Sequence, residues 1–326
     1  TAYWIITSFE TTYSKAKLEQ GLLDFYNINR WLRWVPRERD DIFVWEEGSG
    51  NLFFLSDEKM DSSIAGFNDG LASSQNVHPD SKETMFAVEI SKGKTAKTRI
   101  TVYAHHVLLD GLSVERLLKE VSRYLSNGGI PQSFQPVIPS DDPSTETKKF
   151  WKNEIANILE TCKTPSKQES LPFAKSRISY LGCWGGVLEH QLSSKTVDAL
   201  KQTADYYDLT MYELLLHRWT EFLNEIGGSG NVTGLPVNTI DFLHPDKIHL
   251  MSVNTLPFKF NKDDSMQSTA KKFREIFSHR HLSFSKILKF AGVERSNDGM
   301  LLFNTSFILN DHLSGHHSEN PETSFV

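Results

Sequence analysis

The sequence predicts a two-lobed α/β (α+β) fold, and three observations carry that expectation. The chain has 326 residues, more than one hydrophobic core usually supports. Strand-type alternation and helix-type periodicity are mixed in both halves instead of being segregated. A polar stretch, Thr161 to Glu169, interrupts the pattern near the middle. The lobes are therefore expected at residues 1–168 and 169–326.

Each element has its own signal. Lys15 to Tyr26 places Leu18, Leu22, Leu23 and Phe25 on one helical face. Ile42-Phe43-Val44-Trp45 and Leu52-Phe53-Phe54-Leu55 flank a polar, glycine-containing stretch and predict a β-hairpin. Met85 to Ile90 and Thr98 to His106 predict two further strands, followed by an amphipathic helix from Ser113 to Leu125 that stops at Asn127-Gly128-Gly129. Residues 130 to 147 read as a loop, and Thr147 to Leu159 as a helix carrying Phe150-Trp151. The second half predicts a strand near Gly186 to Gln191 and helices from Ser194 to Tyr207 and Thr210 to Ile226. A strand from Val253 to Phe260, a helix from Ser268 to Ser278 and a strand from Leu301 to Leu309 complete it.

Composition narrows the function classes. Hydrophobic residues at 39% and charged residues at 23% are ordinary for a globular protein. A net charge of -6 argues against a nucleic-acid partner, which would want a basic stripe. No apolar run has the length of a bilayer span, so no membrane association is expected. The opening Thr1-Ala2-Tyr3-Trp4-Ile5-Ile6 has neither the basic start nor the small-residue cleavage site of a signal peptide. It also lacks an initiator Met, so the chain is expected to be a piece of a longer one. Cys162 and Cys183 are the two cysteines and neither has a metal-type spacing. A cytoplasmic location is the expectation. Asn231-Val232-Thr233 and Asn304-Thr305-Ser306 match the glycosylation pattern and, without a secretion signal, are read as chance.

The chemistry centres on His105-His106-Val107-Leu108-Leu109-Asp110-Gly111. Alternation along Thr98 to His106 puts Ile100, Val102, Ala104 and His106 on one face and Arg99, Thr101, Tyr103 and His105 on the other. His106 is thus expected at the end of an apolar face, where water is limited and the ring can be held. A histidine there can act as general base for a nucleophile attacking a thioester or ester carbonyl. Gly111 has no side chain, so a backbone N–H could approach the oxyanion. Asp110 either orients a histidine or holds the turn through an ion pair. Because adjacent strand residues point to opposite faces, the two histidines do not easily share a metal ion, and no metal site is expected. His105 is read as structural.

The run His-His-x-x-x-Asp-Gly resembles the signature of nonribosomal-peptide-synthetase condensation domains and their acyltransferase relatives. The resemblance continues in series at Leu32-Arg33, Phe150-Trp151 and Leu235-Pro236-Val237. It resumes at Met251-Ser252-Val253-Asn254-Thr255-Leu256-Pro257, similar to the family's Phe-Val-Asn-Thr-Leu-Pro, at His279 to Ser285, and at Leu302-Phe303. It covers about residues 3 to 310 and implies a V-shaped pair of chloramphenicol-acetyltransferase-like lobes with a tunnel between them. On that resemblance His106 and Gly111 are the catalytic residues, with His106 either a true base or a positioning and charge-stabilising group. His105, Asp110 and Asn254 are supporting residues. No cofactor is held; carrier proteins dock at the two tunnel mouths and present substrates on 4'-phosphopantetheine, and an acceptor amine attacks the donor thioester. Adjacent adenylation and carrier domains are implied, and the chain is expected to be a monomer whose lobes form a pseudo-dimer. One departure matters. The family usually has an Arg, paired with the motif's Asp, where this chain has Ile240, so either Asp110 has another partner or hydrogen bonds alone hold the turn. The chain also starts after the family's first motif and stops before its last strands. A free-standing acyltransferase using coenzyme A or a soluble amine or alcohol, and an inactive carrier-docking module, are the alternatives. An Asp-Phe-Gly-Trp-Gly motif of plant acyltransferases is absent, Gly182-Cys183-Trp184-Gly185-Gly186 being a poor substitute. Val114 after Ser113 counts against an epimerisation domain.

Overall fold

Local sequence explains where the helices begin and end. Ser14, Ser193, Thr210 and Ser265 each cap a helix by accepting a hydrogen bond from a first-turn backbone N–H. Thr210 and Glu213 complete a reciprocal capping box. The structure is a computed structural model, and it describes residues 4–39, 42–48, 54–55, 85–92, 97–138, 144–161, 188–226, 232–240, 246–293, 302–303, 305–309 and 324–325. In chain order the elements are β1 (Trp4–Thr11), α1 (Lys15–Ile28), a 3-10 turn (Arg30–Arg33), β2 (Trp34–Arg39), β3 (Ile42–Glu47), β4 (Phe54–Leu55), β5 (Phe86–Lys92) and β6 (Thr98–His105). There follow α2 (Gly111–Asn127), β7 (Gln135–Val137), α3 (Thr145–Thr161), α4 (Ser194–Tyr206), α5 (Met211–Glu225), β8 (Val232–Asn238) and β9 (Lys247–His249). The last are β10 (Val253–Lys259), α6 (Met266–Ser278), α7 (Phe284–Phe290) and β11 (Ser324–Phe325).

The chain forms two compact units. The first comprises Thr1–Pro139, Ile240–Ser252 and Asp311–Val326; the second comprises Ser140–Thr239 and Val253–Asn310. In the first, a five-stranded sheet runs in the order β11-β1-β6-β5-β4, antiparallel except for the parallel β4–β5 pair. Its core joins Val88, Ile90, Ile100, Val102 and Ala104 of the strands to Leu18, Leu22 and Phe25 of α1 and Val114, Leu117, Leu118, Val121 and Leu125 of α2. The i, i+4, i+7 spacing of the α1 residues produces that buried stripe. α1 and α2 approach so closely that a Cβ on Gly21 would lie 2.5 Å from Leu125 Cδ2. Gly128, at φ 69, ends α2 in a conformation that only glycine adopts readily. In the second unit, β8 and β10 pair antiparallel, and Trp151, Ile155 and Ile158 of α3 share a core with Leu216, Leu256, Phe258 and Ile287.

Several sequence expectations are corrected. The division falls at Ser140, not at residue 168, because α3 buries its apolar face in the second core. Segments 240–252 and 311–326 return to the first unit: β9 pairs with β7, and β11 with β1. The hairpin is one element earlier than expected. β3 folds back on β2, with Arg39 opposite Ile42, whereas β4 pairs with β5. Trp34–Arg39 is half charged and gives little apolar signal, yet Arg30 and Arg33 reach Glu47 across the fold at 2.9 and 3.6 Å. No strand forms at residues 188–191, where Leu188 is exposed. Of the strand expected at 301–309, the described residues form a single bridge, Ser306 to Gly234. The Phe303 ring lies so close over Gly234 that a side chain there has no room. Residues 162–187, which include most of the polar stretch, both cysteines and the Gly182–Gly186 run, lie outside the described residues, as do Leu52, Phe53, Asn231 and Asn304.

Candidate active site

The site grows out of the end of β6. Ile100, Val102 and Ala104 are packed in the helix-facing core, so that face is fully used. The opposite face is polar, and it is buried at Thr101 and Tyr103. Arg99 pairs with Glu10 at 3.0 Å, and the Tyr103 hydroxyl donates to Glu89 Oε2 at 2.7 Å. Burial, with the Glu89 carboxylate beside it, pushes the Tyr103 phenol well above its ordinary range. This face ends at His105, the last paired residue of β6, opposite Trp4.

The strand stops one residue earlier than its alternation predicts, and His106 opens a turn over residues 106–108. His105 builds that turn. Its carbonyl accepts from Leu108 N at 2.9 Å and Leu109 N at 3.2 Å, and its ring Nδ1 accepts from Val107 N at 3.1 Å. A neutral ring can accept in this way. Burial first, and then the charge of the adjacent His106, lower the His105 pKa to about 4. The unfolded chain binds this proton near pH 6.5, whereas the folded chain refuses it down to about 4. Stability is therefore expected to fall as pH drops from about 6.5 and to level off below about 4, so far as this group is concerned. His105→Asn keeps an acceptor for Val107 without titrating there, and should flatten that stretch of a plot of urea midpoint against pH.

His106 is half-buried on this turn, and its Nδ1 is buried without a hydrogen-bond partner among the described residues. It does not extend the Ile100–Ala104 face as expected, since that face ends inside the core. Asp110 is 1% exposed and makes no hydrogen bond to either histidine of the motif. Its Oδ1 caps α2 by accepting from Ser113 N at 2.9 Å. Its Oδ2 accepts from Ser252 N at 2.8 Å and from the Ser252 hydroxyl. Of the possibilities that the sequence leaves for Asp110, the geometry shows a turn held by hydrogen bonds: among the described residues it makes no ion pair and orients no imidazole. Gly111 opens α2, exposed, and a Cβ added there meets nothing within 4 Å.

Asn254 is placed elsewhere, in the second unit. Its amide donates to the carbonyls of Arg280 and Leu282 at 2.8 and 2.7 Å and accepts from Phe284 N at 3.0 Å. It thereby stitches the connection between α6 and α7. The His279 at the start of that connection is held by the Phe150-Trp151 helix. Phe150 stacks on its ring with centroids 4.1 Å apart, Trp151 Nε1 donates to its carbonyl at 2.9 Å, and Thr147 Oγ1 lies 3.0 Å from its Nδ1. Three motifs far apart in sequence thus form one structural cluster.

Ser252 is the residue sequence reasoning missed. Its signal was available: it stands inside the run Met251–Pro257, as the single hydroxyl before Val253, where the similar family run has Phe. Among the described residues no group of three or more His, Cys, Asp or Glu is arranged to hold a metal ion, and no helix is long and apolar enough to cross a membrane.

Comparison with known proteins places this geometry. The family model described as "Condensation domain" matches residues 79–325. The chain belongs to the condensation-domain family. This condensation domain is similar to tyrocidine synthase 2 of Brevibacillus parabrevis, 22% identical over 333 residues, 92% of this chain. The matched part is 9% of that relative's length, so the chain spans less than a tenth of it. Among solved structures, the X-domain from teicoplanin biosynthesis matches with a TM-score of 0.69 at 14% identity, covering 94% of this chain and 72% of that one. VibH, a nonribosomal-peptide-synthetase condensation enzyme, matches with a TM-score of 0.61 at 14% identity, covering 89% and 71%. These two likenesses establish a shared fold.

Proposed function

We propose that this condensation domain joins a carrier-bound acyl or peptidyl thioester to an amine acceptor, forming an amide and releasing the carrier thiol. The observation that carries the proposal is His106: a half-buried imidazole at a strand end whose Nδ1 has no partner, beside the open first turn of α2. A buried polar atom left unpaired costs about 1–3 kcal/mol and calls for a functional explanation. The amine nitrogen attacks the thioester carbonyl, the C–S bond breaks as the C–N bond forms, and the proton lost by nitrogen passes through His106 to the departing thiolate. The substrates arrive on the 4'-phosphopantetheine arms of peptidyl or acyl carrier proteins, supplied by neighbouring carrier and adenylation domains. His106 acts by taking or steadying charge; Gly111 leaves room for the reacting carbonyl at the amino end of α2.

Amide formation from an acyl-loaded carrier protein and a free amine, followed by mass spectrometry, tests this directly. Carrier-bound donor should outperform the same acyl group on coenzyme A; equal use of both would favour a free-standing acyltransferase. Gly111→Ala is a second test. Its backbone is ordinary and its Cβ would meet open space, so folding should be undisturbed or up to ~1 kcal/mol more favourable. If the reacting carbonyl needs that space, the rate should drop on the order of 10²-fold through misplacement alone. A variant with unchanged melting temperature and unchanged rate would remove Gly111 from the mechanism.

A further inference from the structure

We propose that Ser252 is a positioning residue for the His106 turn, a neutral clamp that holds the buried Asp110 carboxylate with no cation among the described residues. The proposal rests on the reading of His106 as the catalytic group. Among the described residues His106 has no hydrogen bond at Nδ1 to orient it, so the ring inherits its place from the backbone of residues 106–110. That backbone is fixed at two ends. At the first, His105 ties down Val107, Leu108 and Leu109. At the second, the segment entering from β9 grips it twice: Met251 N donates to the Leu108 carbonyl at 3.2 Å, and Ser252 donates its N–H and its hydroxyl to one oxygen of Asp110.

Asp110 and Ser252 are each 1% exposed, so water does not complete the carboxylate's hydrogen bonding. A buried carboxylate is costly unless well-aligned donors surround it. Here three donors do so, two of them from Ser252 and one from the amino end of α2, whose dipole also favours the negative charge. Ile240, where an arginine was expected, contributes no charge. Only the Ser252 hydroxyl in this arrangement can be removed by mutation without touching the backbone or the carboxylate.

The test compares Ser252→Ala and Ser252→Thr with the unaltered chain in the carrier-protein assay. Losing one hydrogen bond to a charged group should loosen the turn, and kcat is expected to fall about 10-fold with KM nearly unchanged. Ser252→Thr, which retains the hydroxyl, should recover most of the rate. In hydrogen exchange the amides of Leu108, Leu109 and Ser113 should open about 10-fold faster in Ser252→Ala, with distant amides unaffected. If the Ala variant does not fold, Ser252→Cys, a weaker donor of similar size, is compared in its place. An unaltered chain that makes no amide removes the underlying functional reading before any variant is compared. An active chain whose Ser252→Ala form keeps its kcat, or whose loss Thr does not rescue, overturns the proposal alone.

Discussion

His106→Ala is expected to slow amide formation by about 10²–10⁴-fold, the range typical for removing a positioned acid–base group. That corresponds to about 2.7–5.5 kcal/mol of transition-state stabilisation. Carrier binding should be little changed, so the loss should appear in kcat at saturating donor. The same substitution should leave the melting temperature unchanged or raise it. Truncation deletes a buried Nδ1 that has no hydrogen-bond partner, relieving about 1–3 kcal/mol of desolvation cost against the packing lost with the ring. Such opposite movement of rate and stability marks a residue retained for chemistry. His105→Ala provides the contrast, because it strips Val107 N of its acceptor and should lower stability. Single-turnover mass spectrometry and calorimetry on the two variants separate these roles. An undiminished rate in His106→Ala would sink the catalytic assignment.

Much of the fold was legible because its signals are local. The i, i+4, i+7 stripe of Leu18, Leu22 and Phe25 and the period-two run of Ile100, Val102 and Ala104 both report the same core. The strand expected at 301–309 was harder. What the described residues hold there depends on Gly234 admitting the Phe303 ring, a contact across some seventy residues that no local pattern encodes. The hairpin was misplaced because β2 is charged and its pairing with β3 rests on register and on the Arg39–Glu46 ion pair, with Arg30 and Arg33 of the preceding turn reaching Glu47. Within the site, motif spacing located His105, His106, Asp110 and Gly111 together. It could not show that β6 ends at His105, since a histidine whose carbonyl and ring both turn back to bond Val107, Leu108 and Leu109 looks in sequence like one more strand residue. Nor could it supply the donor for Asp110. Ser252 lies 142 positions away, on a segment that leaves β8 of the second unit, returns to the first, and departs again at β10.

That long-range pairing yields the second large effect. Asp110→Ala is expected to destabilise the chain by about 2–4 kcal/mol: about 1 from the lost cap of α2 and about 1–3 from the Ser252 donors left buried without an acceptor. Asp110→Asn is the informative partner. Its remaining oxygen can still cap α2 through Ser113 N, but its amide then presents N–H groups toward the N–H of Ser252, and that backbone bond is lost, while the Ser252 hydroxyl has to turn round and accept. A carboxylate that merely oriented His106 would behave differently, because Asn would then spare stability and abolish activity. No hydrogen bond joins Asp110 to His106, so stability and rate should fall together in Asp110→Asn, and at least as far as in Ser252→Ala, which gives up only the hydroxyl bond. A double-mutant cycle settles the matter by chemical denaturation. If the two residues act as one clamp, adding Ser252→Ala to Asp110→Ala should cost far less than it does in the unaltered chain, a coupling of about 0.5–3 kcal/mol. Additive losses would mean that Asp110 and Ser252 stabilise the turn independently. The clamp account would then have to give way to one in which capping of α2 alone places His106.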